Sequence, residues 1–197
     1  MNQTLKIFLA KVLPRRIRIP YQLYKRNFLL KIMPKNSVCA EIGVYKGDFT
    51  KRILQVVKPK RLYLIDKWGG QPGAAESIET WEKRYQFVRK KFSSEIKKGK
   101  VIIKRDYSHV VLKEFDDSYF DWIYIDGSHQ YDVVKKDLEL SDLKVKPGGF
   151  ITGDDYGVNH KPWGPGLKRA VDEFASTHSI KKLQIKQNQF IIKSEKN

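Results

Sequence analysis

A chain of 197 residues with 41% hydrophobic and 31% charged side chains has enough apolar material for one continuous core, which excludes a wholly disordered chain. Its single cysteine, Cys39, excludes an intramolecular disulfide, and no Cys/His spacing suggests zinc; a reducing, cytoplasmic setting is the expectation. The formal net charge of +17 favours an acidic partner, whether nucleic acid, an anionic membrane surface or a phosphorylated substrate, without choosing among them.

No acidic residue precedes Glu41, whereas Lys6, Lys11, Arg15, Arg16, Arg18, Lys25, Arg26, Lys31 and Lys35 are basic. The apolar stretch Leu5 to Leu13 is broken by Lys6 and Lys11 and is too short to span a bilayer. Residues 1–36 therefore read as a basic helical segment. It either packs on the domain with its lysines in water or lies on anionic lipid at the inner face of a membrane. Residues 37–197 read as one domain without an internal repeat.

Val38 to Ile42 is a buried strand by its apolar run, followed by a helical stretch through Phe49, Ile53, Leu54 and Val57 that Lys58-Pro59 ends. Arg61 to Ile65 is a second strand. Gly69, Gly70, Pro72 and Gly73 mark a loop, and Ser77 to Lys97 is helical by the spacing of Ile78, Trp81, Tyr85, Val88 and Phe92. Val101 to Lys104 is a third strand, with Ser108 placed to cap a short helix after it. Asp121 to Ile125 is the fourth strand, Tyr131 to Leu143 a helix, Phe150 to Thr152 the fifth strand and Leu167 to Ala175 a helix. Leu183 to Lys186 and Gln189 to Lys193 flank Gln187-Asn188 as a closing hairpin. This alternation predicts a doubly wound, Rossmann-like α/β sheet with helices on both faces and ligands outside the carboxyl ends of its strands.

Those strand ends hold the chemistry. Glu41-Ile42-Gly43-Val44-Tyr45-Lys46-Gly47 closes the first strand, with Gly43 for a sharp turn and Gly47 for close helix packing. Asp66 ends the second strand, where a carboxylate accepts from both hydroxyls of a ribose. A nicotinamide cofactor is disfavoured because Tyr45 stands where a pyrophosphate cradle needs glycine, and Glu41 adds negative charge. Glu41, Gly43, Gly47, Asp66 and Asp106 together resemble a class I S-adenosylmethionine-dependent methyltransferase. That resemblance implies a seven-stranded sheet whose last strand is antiparallel. It also implies a methionine moiety at Glu41 and Gly43, a ribose at Asp66, and an adenine near Asp106, Tyr107 and Ser108. Trp68 is either an apolar wall beside that cofactor or a core tryptophan.

Asp126 ends the fourth strand, and Asp154-Asp155 ends the fifth. Adjacent strands lie about 5 Å apart, so three carboxylates converge and repel unless a cation relieves them. Mg²⁺ is the first expectation and Mn²⁺ the alternative. His129, just beyond Asp126 and Gly127, suits proton removal from a hydroxyl. Ile125-Asp126-Gly127-Ser128-His129-Gln130-Tyr131, Gly148-Gly149-Phe150-Ile151-Thr152-Gly153-Asp154-Asp155-Tyr156 and Ala170-Val171-Asp172-Glu173-Phe174 are similar to the metal-dependent sugar O-methyltransferases of macrolide biosynthesis. By that likeness Asp126, Asp154 and Asp155 are metal ligands, with Asp126 also beside the cofactor, and His129 is the base. The chain lacks the extra N-terminal domain of the larger macrolide enzymes, which leaves the acceptor undetermined by the likeness.

The expected acceptor is a small molecule or glycan, with a carbohydrate on a lipid phosphate suiting the charge. The loop Gly157 to Gly166, with His160 and Trp163, either contacts this acceptor or is an ordinary connection; His109 and His178 read as structural or surface residues. A nucleic-acid methyltransferase is the rival, but no Asn/Asp-Pro-Pro-aromatic tetrapeptide occurs and Cys39 lies inside a strand. A metal-dependent hydrolase would leave Glu41, Gly43 and Asp66 without a role. A non-catalytic basic binding module, in which the aspartates only cap elements, is a further class. Self-association is left open.

Overall fold

The computed structural model describes residues 26–69, 76–159, 164–178 and 183–195. In chain order these form α1 (Asn27–Ile32), β1 (Val38–Ile42), α2 (Asp48–Val56), β2 (Arg61–Ile65), α3 (Ile78–Lys91), α4 (Ser93–Lys97), β3 (Val101–Lys104), α5 (Ser108–Val111), β4 (Phe120–Ile125), α6 (Tyr131–Lys144), β5 (Val145–Gly153), α7 (Gly166–Thr177), β6 (Leu183–Lys186) and β7 (Gln189–Lys193). The seven strands make one sheet in the order β3-β2-β1-β4-β5-β7-β6. β1 to β5 run parallel, and β7 is antiparallel to both β5 and β6.

Strand alternation sorts the core into two layers, as a sheet covered on both faces requires. Ala40, Ile42, Tyr63, Ile65, Ile123 and Ile125 join Val134, Leu138 and Val171 on the α6 and α7 side. Cys39, Leu62, Leu64, Trp122 and Tyr124 join Phe49, Ile53 and Val88 on the α2 and α3 side. Leu29, Leu30 and Met33 belong to this second layer, so α1 is part of the domain's core despite its basic sequence.

Local chemistry sets the element ends. α2 stops where Lys58 takes a positive φ of 53° ahead of Pro59, which cannot continue a helix. Ser77 caps α3 by accepting from Thr80 N–H at 3.2 Å. The single helix expected over residues 77–97 divides at Phe92 (φ −111°, ψ 22°), whose ring is buried in the second layer. The fifth strand runs longer than its apolar centre because residues 146–149 bulge out between two paired stretches, Val145 on Phe120 and Phe150 on Trp122.

Candidate active site

The sheet register builds one rim. Ile65, Ile42, Ile125 and Gly153 are paired across neighbouring strands, so the next residues, Asp66, Gly43, Asp126 and Asp154, stand level at the carboxyl ends. Gly43 turns there with a φ of +85°, and a Cβ at this position would lie 2.1 Å from the Asp126 carbonyl oxygen. Only glycine lets the two strand ends touch. Gly47, at φ +68°, precedes α2, and a Cβ there would meet the Phe92 ring at 2.5 Å.

Asp66 holds this turn through backbone donors. Its Oδ2 accepts from Val44 N–H at 2.9 Å and Tyr45 N–H at 3.0 Å, and its Oδ1 from Trp68 N–H at 2.8 Å. Trp68 is a core tryptophan here. Its ring is fully buried and reaches the turn through Nε1–H, which donates to Tyr45 O at 3.0 Å. Glu41 lies under the turn, buried, accepting from Thr50 Oγ1 at 2.6 Å. Burial pushes its carboxyl up to about 8. Asp106 is exposed at the end of β3, and Oδ1 accepts from Tyr107 N–H at 2.6 Å. Ser108 does not cap α5; Tyr107 precedes the helix, and Ser108 Oγ donates to Asp137 Oδ1 at 2.5 Å.

On the other half of the rim, Asp126, Asp154 and Asp155 each offer an oxygen within 4.8 Å of the others. Burial pushes Asp126 up to about 7, with Asp154 and Asp155 adding repulsion, and burial raises Asp154 as well. Oxygens around one Mg²⁺ or Ca²⁺ at about 2.0–2.6 Å lie no more than about 5 Å apart. The three carboxylates meet that spacing and supply only hard oxygen donors, so they fit a divalent cation. His129 Nε2 lies 3.1 Å from Asp155 Oδ2, which fixes the ring beside the cluster. Asp155 itself sits at a positive φ of 60°, a left-handed conformation that Asp tolerates better than most residues.

A family model described as a methyltransferase domain matches residues 40–156, which include Gly43, Asp66, Asp126, His129, Asp154 and Asp155. The chain belongs to that methyltransferase family. A curated relative, an uncharacterized protein of Acanthamoeba polyphaga mimivirus, is 28% identical over 138 residues, covering 69% of this chain; the match spans only 58% of the relative's length. Among solved structures, an O-methyltransferase from Bacillus cereus in complex with SAH aligns with a TM-score of 0.63 at 18% identity, covering 98% of this chain and 88% of that one. A candidate rRNA methylase from Clostridium thermocellum aligns at 0.64 and 16%, covering 89% and 97%. At such identities these two establish the fold, that of the class I S-adenosylmethionine-dependent methyltransferases, and not the acceptor.

Two side chains that the sequence did not single out reach the methyltransferase rim. Arg26, just ahead of α1, donates from Nη1 to Asp126 Oδ2 at 2.9 Å and from Nη2 to Asp154 Oδ2. Its guanidinium carbon stands 5.0 Å from the Phe49 ring centre and 5.8 Å from that of Tyr124. Burial alone would lower the Arg26 pKa, but Tyr124, Asp126 and Asp154 together carry it upward and hold the charge firmly. Gln189 at the start of β7 is buried and donates to Asp154 Oδ1 while accepting from Tyr124 O–H at 2.9 Å. A basic run hid Arg26, and a hairpin position hid Gln189. Of the other expectations, residues 1–25, His160 and Trp163 lie outside the described residues. Among the described residues no helix is long and apolar enough to cross a membrane.

Proposed function

We propose that this methyltransferase moves the methyl group of S-adenosylmethionine to a hydroxyl, on a sugar or glycan, with a divalent cation, Mg²⁺ or Mn²⁺, at Asp126, Asp154 and Asp155. The observation that carries the reading is the convergence of those three carboxylates within 4.8 Å, with His129 3.1 Å from Asp155 Oδ2.

Gly43 brings its turn against the Asp126 backbone, which supports a donor and an acceptor on adjacent strand ends. Glu41 answers the cationic ammonium of the methionine moiety, and that charge draws its proton off. Asp66 shares its remaining lone pairs with the ribose hydroxyls, and Asp106 with Ser108 borders the adenine. As the acceptor oxygen bonds to the methyl carbon, the carbon–sulfur bond breaks, its electron pair stays on sulfur, and His129 takes the hydroxyl proton. The products are a methyl ether, the neutral thioether S-adenosylhomocysteine and a protonated imidazole that releases its proton to solvent. Asp155 keeps the ring aimed and stabilises its positive charge. A divalent cation in the carboxylate cluster supplies Lewis acidity that lowers the pKa of the acceptor hydroxyl. Holding the two reacting atoms in line contributes the remaining acceleration.

The charge of +17 favours a glycan carrying phosphate, such as a sugar on a lipid phosphate, and an anionic surface for the basic N-terminal segment. The same charge favours nucleic acid as the second reading. Incubation with methyl-labelled S-adenosylmethionine, Mg²⁺ or Mn²⁺ and a panel of glycans tests the choice. Label is expected in a glycan hydroxyl and is lost on chelation. Label entering RNA alone, with binding that weakens steeply over a salt series, would overturn the glycan reading.

A further inference from the structure

The carboxylate cluster already has a positive partner. One oxygen of Asp126 and one of Asp154 receive the two arms of the Arg26 fork. The other oxygen of Asp154 is taken by Gln189. The Arg26 side chain is only 17% exposed, with its guanidinium against Phe49 and Tyr124. It therefore places its positive charge on two of the three carboxylates that lie within reach of one ion. A planar fork bridging two carboxylates is a geometry suited to arginine.

A divalent ion at those oxygens would stand within a few ångströms of the guanidinium, in a partly buried setting where like charges are poorly screened. The two cations therefore exclude each other. Arg26 is also the first described residue after a run in which Lys6, Lys11, Arg15, Arg16, Arg18 and Lys25 are the charged residues, all of them basic. Nothing acidic in that run offers the displaced guanidinium another partner.

We propose that Arg26 is a built-in competitor for the cation. With the guanidinium seated, its charge offsets part of the negative charge of the cluster and Arg26 is held at the rim; when a divalent ion enters, Arg26 leaves it. Cation binding and departure of Arg26 from the rim are thus one event, and each weakens when the other is resisted. This rests on the cation reading given above, and the test separates the two.

The full chain is titrated with Mn²⁺ and the free ion is followed by electron paramagnetic resonance, for wild type, Arg26→Gln and Arg26→Lys. In parallel, tryptic cleavage after Lys25, a bond present in all three, is timed with and without Mn²⁺. Arg26→Gln is expected to bind Mn²⁺ about ten-fold tighter, the scale of an ordinary coupling between two sites. Arg26→Lys, with a point charge in place of a fork, falls between. Mn²⁺ is expected to accelerate cleavage after Lys25 in wild type, whereas Arg26→Gln is cut quickly with or without the ion. Equal Mn²⁺ affinity in all three would overturn the competition while leaving the cation site standing. Absence of Mn²⁺ binding in every variant, with S-adenosylmethionine still bound, would overturn both and make Arg26 the permanent counter-ion. Arg26→Lys keeps the test decisive if Arg26→Gln fails to fold.

Discussion

The two halves of the rim are built by opposite means. At the cofactor half, Asp66 is satisfied by three backbone N–H groups, Trp68 is sealed in the core, and Gly43 touches the neighbouring strand end. At the chemical half, Asp126, Asp154 and Asp155 crowd one another, and the side chains of Arg26, Gln189 and His129 reach them across the fold. A half fixed by backbone is set once the sheet forms. A half fixed by opposing charges can exchange one partner for another, as the proposed entry of an ion requires.

Substitutions should expose this contrast, and the largest effect belongs to the chemical half. His129→Ala is expected to lower the rate of transfer by about 10²–10⁴-fold, the usual worth of a general base, with S-adenosylmethionine binding by calorimetry unchanged. A variant that loses cofactor affinity instead would show that His129 serves the other half. Gly43→Ala should act in the reverse manner. Its Cβ meets backbone at 2.1 Å, so a loss of about 4 kcal/mol or more is expected, read by urea denaturation. Normal stability and cofactor binding in that variant would break the claim that this half is set by backbone contact.

Gln189→Leu should fall between the two. It strips Asp154 Oδ1 and Tyr124 O–H of their partner, costing about 1–3 kcal/mol of stability. It should also weaken Mn²⁺ binding by about 10–100-fold, as loss of a supporting hydrogen bond does. The smallest effect on transfer is expected at Asp137, a carboxyl outside the reacting half of the rim that burial pushes up to about 7. The folded state there holds its proton at a pH where the unfolded chain has lost it. Stability is therefore highest below the ordinary carboxyl range near 4, falls as pH rises toward 7, and is level above that. Asp137→Asn removes the titration, so its stability relative to wild type should climb across that window by about 4 kcal/mol at most. A flat difference in thermal unfolding from pH 4 to 8 would refute this.

Much of the architecture was legible in the sequence because each strand carries its own apolar run between turn residues. β3, β6 and β7 fall on the expected residues, and Asp66, Asp126 and Asp154 end strands as expected. What could not be read depended on contacts between distant segments. The break at Phe92 comes from its ring entering the core, which the three-to-four residue spacing of the helix does not reveal. Ser108 has cap chemistry, yet Asp137, 29 residues away, takes its hydroxyl. Arg26 looked like one more cation in a basic stretch, and only the fold carries it 100 residues along the chain to Asp126.

Gln189 has a further consequence, through the route by which the sheet closes. β7 slots between β5 and β6, although it follows both in the chain. The turn built from Gly43 and Asp66 is in place once β1, β2 and β4 have paired. The carboxylate beside it acquires its steadying amide only when the final strand of the sheet arrives. A chain interrupted before Gln189 should keep its donor turn and lose its grip on the ion, so during synthesis the ability to bind donor would precede the ability to use it.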